Sequence, residues 1–265
     1  MRILKIIMIF ILSILLNACS NEDKTKTAQQ TDKKELLIYC GITMIKPLSE
    51  ICSIIEQQEN CTINITKGGS GNLLKAIIFN KKGDLYLPGS DSYYKKIEKE
   101  NKDLITQKVH VGYNKATILV KKGNPKNIKG ELNDLINTDY LVVIGNPDSG
   151  SIGKETKKIL SKKGIFDQVI SNSVQLTTDS KDLILVLKND EADIVINWFA
   201  TSIWAENKNY VQALPIKDEY AKKKQLVLGL LKYSKHPDIA KKIISLASSE
   251  QGKNIFNKYG LYDIK

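Results

Sequence analysis

The chain has 265 residues, 42% apolar and 26% charged, with a formal charge of +11 at pH 7. That apolar fraction, with only six prolines, excludes a disordered chain and provides core for one large domain or two lobes. The basic excess is mostly lysine, in runs such as Lys81-Lys82, Lys121-Lys122 and Lys222-Lys223-Lys224 at expected element edges. It reads as a solvated surface with a weak steering field for anions, and nucleic acid is not expected as a partner.

Arg2 and Lys5 precede an apolar run from Ile6 to Leu16, too short for a permanent membrane span and right for the core of a signal peptide. The run ends in Leu16-Asn17-Ala18-Cys19, which resembles the lipobox of bacterial lipoproteins. There a small residue precedes a cysteine that is diacylated and becomes the new N-terminus. The expectation is a lipoprotein signal peptide over 1–18 and a lipidated Cys19 opening a tether over 19–33, with an ordinary secretory leader as the alternative. Ser20 to Asp32 contains one Ala and no larger apolar side chain, so it cannot bury enough surface to fold. Loss of Arg2 and Lys5 with the leader leaves 38 basic against 29 acidic residues, a charge of +9.

Three cysteines then remain, an odd number for an exported protein. Cys52 falls on the apolar face Leu48, Ile51, Cys52, Ile55 and reads as a buried thiol. A Cys52–Cys61 bridge is the alternative; it requires the chain to fold straight back over the helix end.

From Leu36 the pattern alternates strand and helix: Leu36 to Cys40, a helix from Ile45 to about Gln58, Thr62 to Thr66, a helix near Asn72 to Phe79, Asp84 to Leu87, and a helix near Ser92 to Glu100. Ala116 to Val120 opens a second set. It continues with Tyr140 to Ile144, a helix from about Gly153 to Lys163, Val174 to Thr178, a helix near Lys181 to Lys188, and Ala192 to Asn197. The tail offers strands near Val211 to Ile216 and Gln225 to Tyr233, then helices over Pro237 to Ser248 and Glu250 to Tyr259. Repeated βα units specify an α/β protein with mostly parallel sheets and a ligand site at the carboxyl ends of the strands. Because the first set has only three clear strands, the tail is expected to return and complete it. The lobes expected are 34–115 plus 205–265, and 116–204.

The informative polar residues lie where strands hand over to helices: Cys40-Gly41-Ile42-Thr43, Gly68-Gly69-Ser70-Gly71, Pro88-Gly89-Ser90-Asp91, and Gly145-Asn146-Pro147-Asp148-Ser149-Gly150-Ser151. Any one of these hydroxyls is accounted for as a helix N-cap. Four helix N-termini converging at strand ends make a cluster of N–H donors and partial positive charge, a site for a small anion. Asn72 and Leu73 follow the second glycine loop where a nucleotide-binding P-loop needs lysine, which disfavours a nucleotide.

Leu36 to Thr43, Gly68-Gly69-Ser70-Gly71-Asn72-Leu73, Gly83-Asp84-Leu85-Tyr86, Lys122-Gly123-Asn124-Pro125, Gly145-Asn146-Pro147 and Ala192-Asp193-Ile194-Val195, in that order, resemble the molybdate/tungstate-binding proteins of ABC importers. The resemblance covers nearly all of 34–265. It implies a type II periplasmic-binding-protein fold, two βα lobes joined by crossover strands and closing on an oxyanion held by hydroxyls and backbone amides. Carried over by position, Thr43 and Ser70 are the first-lobe ligand hydroxyls, and Asn146, Ser149 and Ser151 belong to the second-lobe loop. Ser90 adds a hydroxyl within reach, and Asn197-Trp198 stands where the family has a tyrosine after the aspartate-containing strand, with Trp198 either a pocket wall or a packing residue.

The function so implied is a monomeric solute-binding lipoprotein outside the cytoplasmic membrane. It holds a small anion such as molybdate or tungstate and delivers it to an ABC permease and its ATPase. The alternatives are a larger anion, an organic phosphate or carboxylate, and an adhesin role. No cofactor is expected, and no metal except within an oxyanion. His110 and His236 are the only histidines and stand in no metal-ligand spacing, so an enzyme is not expected.

Overall fold

The computed structural model describes residues 33–262; Cys19, the leader and nearly all of the tether lie outside the described residues. The first lobe opens with β1 (Lys34–Gly41), then a 3-10 turn, Ile42–Met44, and α1 (Ile45–Gln58). α1 buries Leu48, Ile51, Cys52 and Ile55, one stripe at helical spacing. Pro47 sits in its first turn, where the missing N–H has no intrahelical partner to lose. β2 (Cys61–Gly68) runs parallel to β1 in a register that ends with Gly41 beside Gly68. α2 (Ser70–Asn80), β3 (Leu85–Leu87) and α3 (Ser92–Glu100) follow, then β4 (Ile105–Asn114).

The chain crosses at Lys115 into the second lobe. There β5 (Ala116–Lys121), β6 (Val142–Gly145), α4 (Ser151–Lys163), α5 (Phe166–Asn172), β7 (Ser173–Thr177), α6 (Ser180–Lys188), β8 (Ile194–Trp198), α7 (Ala200–Ile203) and β9 (Val211–Leu214) succeed one another. β10 (Lys224–Leu231), α8 (Pro237–Ser248) and α9 (Glu250–Lys258) return to the first lobe. The sheet orders are β2-β1-β3-β10-β4 and β7-β6-β8-β5-β9. The α/β class and the two lobes read from the sequence are therefore present, each lobe having its own apolar core.

Two strands differ from expectation. The tail does complete the first sheet, but through β10 alone. β9 pairs antiparallel with β5, from Lys121 opposite Val211 to Ile118 opposite Leu214, where Thr117 Oγ1 donates to the Leu214 carbonyl at 2.7 Å. β9 therefore belongs to the second sheet, although it lies beyond residue 204. β4 is not among the strands expected from the sequence. It forms the free edge of the first sheet beside β10, and its exposed Gln107 and Lys108 blur the apolar alternation that marks a half-buried strand.

Cys40, Cys52 and Cys61 are buried free thiols, and burial raises the pKa of each. The thiolate is the reactive form. In a soluble form beginning at Ser20, no thiol should react with a disulfide reagent at neutral pH in the native state, and all three should react in concentrated guanidinium chloride. A count of one after unfolding would mean a Cys52–Cys61 bridge.

Candidate functional site

Because β1 and β2 end together, Thr43, Gly69 and Ser70 reach a common point at the carboxyl edge of the first sheet, joined by Gly89 from beyond β3. Gly150, Ser151, Asp179, Ser180 and Trp198 of the second lobe face them. These residues enclose a chamber with ≈ 10 Å³ of free space, about enough for one water molecule. A four-oxygen anion therefore requires the walls to part slightly. The lobes are in direct contact: the Gly71 and Asn72 amides of the α2 N-terminus both donate to the Ser149 carbonyl, at 2.9 and 3.2 Å.

The hydroxyls are oriented by what they accept. Ser70 Oγ, 1% exposed, accepts from the Gly89 amide at 3.0 Å, which leaves its own proton for a ligand. Thr43 Oγ1 accepts from Asn114 Nδ2 at 3.1 Å and donates to Met44 Sδ at 2.7 Å, a weak acceptor from which an oxyanion would draw the proton. The Ser151 hydroxyl and the Trp198 indole N–H have no protein partner among the described residues. A Cβ on Gly89 would stand 2.2 Å from Ser151 Oγ and 3.4 Å from Trp198 Nε1, so only glycine lets these groups converge.

No Lys, Arg or His is among the lining residues. The one charged group is Asp179, whose Oδ1 accepts from the Lys181 and Asp182 amides and so caps α6. Burial pushes its carboxyl up, against the pull of those two amides. The free donors in the wall are thus neutral dipoles, the arrangement that stabilises an anion without a salt bridge.

Of the residues singled out in the sequence, Thr43, Ser70, Ser151 and Trp198 come together here. Ser90, Asn146 and Ser149 are engaged elsewhere. Ser90 Oγ pairs with Ser92 Oγ at 2.8 Å. Asn146 Oδ1 accepts from the Asp148 amide at 2.8 Å, and Ser149 Oγ donates to the Asn146 and Thr178 carbonyls. These bonds shape the loop that presents Ser151. Asn114, Asp179 and Ser180 were not read as site residues. Thr178-Asp179-Ser180 carries the same hydroxyl-rich strand-to-helix handover as the four loops that were, and that signal would have found it. Asn114, at the crossover and 0% exposed, has no local signature.

Comparisons with known proteins agree with this architecture. A binding protein of Haemophilus influenzae is 26% identical over 233 residues, 87% of this chain and 92% of its own length. YvgL of Bacillus subtilis, which carries the name of an ABC transporter substrate-binding lipoprotein, is 21% identical over 93% of both chains. The periplasmic molybdate-binding protein of Azotobacter vinelandii shares the fold, with a TM-score of 0.73 at 14% identity over 87% of this chain and 100% of that one. Residues 36–262 match the model of the bacterial extracellular solute-binding proteins, and the chain belongs to that family.

Proposed function

We propose that this protein is the extracytoplasmic solute-binding lipoprotein of an ABC importer, trapping a compact oxyanion group between its lobes and presenting it to a membrane permease coupled to an ATPase. The observation that carries this reading is the interlobe chamber, walled by hydroxyls, an indole N–H and helix N-termini and free of cationic side chains. Cys19 would anchor the protein, leaving the lobes, 34–114 with 224–262 and 116–214, to open and close on the ligand. The sequence resemblance and the name of the Azotobacter protein nominate molybdate and tungstate as free anions of this description. Catalysis has no place in the reading, since the relatives are solute-binding proteins.

Isothermal calorimetry against molybdate, tungstate, sulfate and phosphate tests it, and silence with all four would remove the oxyanion reading. Ser70→Ala should weaken whichever anion binds by about 1–3 kcal/mol, the order of a hydrogen bond to a charged group. Unchanged affinity would place Ser70 outside the site.

A further inference from the structure

The chamber lies at the carboxyl ends of the first-lobe strands, and the opposite end of that lobe has a surface of a different kind. α2 starts at the chamber with Ser70 and runs 11 residues to Asn80, roughly 16 Å away. There three stretches are tied together. The Leu231 amide donates to the Asp84 carbonyl at 2.8 Å and the Lys232 amide to the Leu104 carbonyl at 2.9 Å, while Ser234 Oγ donates to Asp84 Oδ1 at 2.6 Å. Phe79 stands at this end 87% exposed. Lys81, Lys82, Lys102 and Lys235 are exposed as well and form no ion pair among the described residues. Nearby acids are mostly engaged: Asp84 is buried against the Leu37 amide, and Asp238 and Glu59 are paired with Lys34 and Lys242. Asp103 is exposed and offsets one of the four lysines. The chain also enters the lobe here, since Lys33 leads into β1 and Lys34 meets Asp238 at the start of α8.

A helix dipole favours lysine at the C-terminus of α2, which accounts for Lys81 and Lys82 but not for a phenylalanine left in water beside them. Lys81 moreover takes the left-handed backbone, φ +51°, that glycine usually fills at a helix end. An apolar ring among unpaired lysines is the composition of a contact with a membrane surface. We infer that this end of the first lobe docks on a bilayer bearing anionic lipid, with Phe79 entering the headgroup layer and Lys81, Lys82, Lys102 and Lys235 meeting lipid phosphates. The fourteen residues 19–32 span about 50 Å at most, so an anchored Cys19 keeps this end within range of the membrane. A docked lobe turns its cleft away from the bilayer, toward arriving solute, and delivery to a permease requires the contact to be released. The inference takes its setting from the proposed lipid anchor and is independent of which anion is bound.

Co-sedimentation with vesicles tests it, on the form beginning at Ser20, so that no acyl chain contributes. At low salt the wild type should bind vesicles containing about one-third phosphatidylglycerol at least tenfold more tightly than vesicles of phosphatidylcholine alone. Lys81→Gly/Lys82→Ala should lose tenfold or more on the anionic vesicles, at roughly fivefold per lysine near the surface, and Phe79→Ser about threefold or more. Glycine suits the backbone of residue 81 and all three side chains are exposed, so thermal melts should match the wild type. Lys217→Ala/Lys222→Ala, which removes two exposed lysines between β9 and β10, should stay within twofold. Equal losses in the two lysine pairs would mean a response to net charge alone and would overturn the inference. No preference for anionic vesicles, or no effect of Phe79→Ser, would overturn it too. Mass spectrometry for a diacylated Cys19, on protein made with its leader, tests the anchor separately; an unacylated Cys19 with the expected vesicle binding would remove the anchor and leave the docking surface standing.

Discussion

Replacing Gly69 by alanine is expected to cut anion affinity by roughly 30- to 100-fold while leaving the unliganded fold unchanged. Gly69 has φ −65° and ψ 132°, which any L-residue adopts without strain, so the substitution carries no backbone penalty within its own lobe. The obstacle is the opposite lobe: an added Cβ would stand 2.5 Å from the Ser149 carbonyl oxygen and 2.7 Å from that of Thr178. Both are backbone atoms and cannot swing aside. The lobes would be held apart by about an ångström, and the Gly71 and Asn72 amides would lose Ser149. Two such bonds at ~0.5–1.5 kcal/mol each are worth roughly two powers of ten at most in an equilibrium that requires closure. Calorimetry supplies the affinity, and a thermal melt without ligand should lie close to that of the wild type. Unaltered affinity would mean that the contact of Gly69 with Ser149 is no part of the binding state.

Asn114→Ala should act on the fold and the site together. The side chain is fully buried at the end of β4, and its amide group donates to Thr43 Oγ1 at 3.1 Å and to the Gly89 carbonyl at 3.0 Å. One residue of the crossover thus ties together two of the loops that wall the chamber. Truncation leaves the Gly89 carbonyl without this donor and opens a small cavity, at a cost of about 2–4 kcal/mol. For a folded unit of this size that corresponds to a fall in melting temperature of roughly 5–15 °C. Thr43 would also lose the donor that orients its hydroxyl, so anion affinity should drop even at temperatures where the variant is fully folded. Scanning calorimetry and a binding titration well below the transition read the two effects separately. A melting temperature within a degree or two of wild type would show that the Asn114 bonds are not structural.

The parts of this architecture visible in the sequence are those set by local periodicity. α1 was legible because Leu48, Ile51, Cys52 and Ile55 fall on one helical face, and α8 because Pro237 opens it ahead of Ile239, Ala240, Ile243 and Ile244. What escaped was set by pairing across long separations. β4 is an edge strand whose polar residues face water, and β9 is too short to announce which of two sheets it joins. The same division holds at the site. Ser70 and Ser151 were legible because each begins a helix after a glycine, a local signature. Ser90, Asn146 and Ser149 lie in the same strand-to-helix loops yet satisfy backbone and neighbouring groups instead, since a polar side chain ahead of a helix serves a loop as readily as a ligand. Asn114 became visible only once the fold brought residues 43, 89 and 114 within hydrogen-bonding distance.

The central claim is that an anion is captured in the chamber by closure of the two lobes. Native mass spectrometry tests it most directly, applied to wild type and Gly69→Ala after equilibration with molybdate, tungstate, sulfate and phosphate. The expected result is one retained anion per wild-type molecule and a much reduced fraction in the variant. Equal retention by both proteins, or none by the wild type with any of the four, would contradict it.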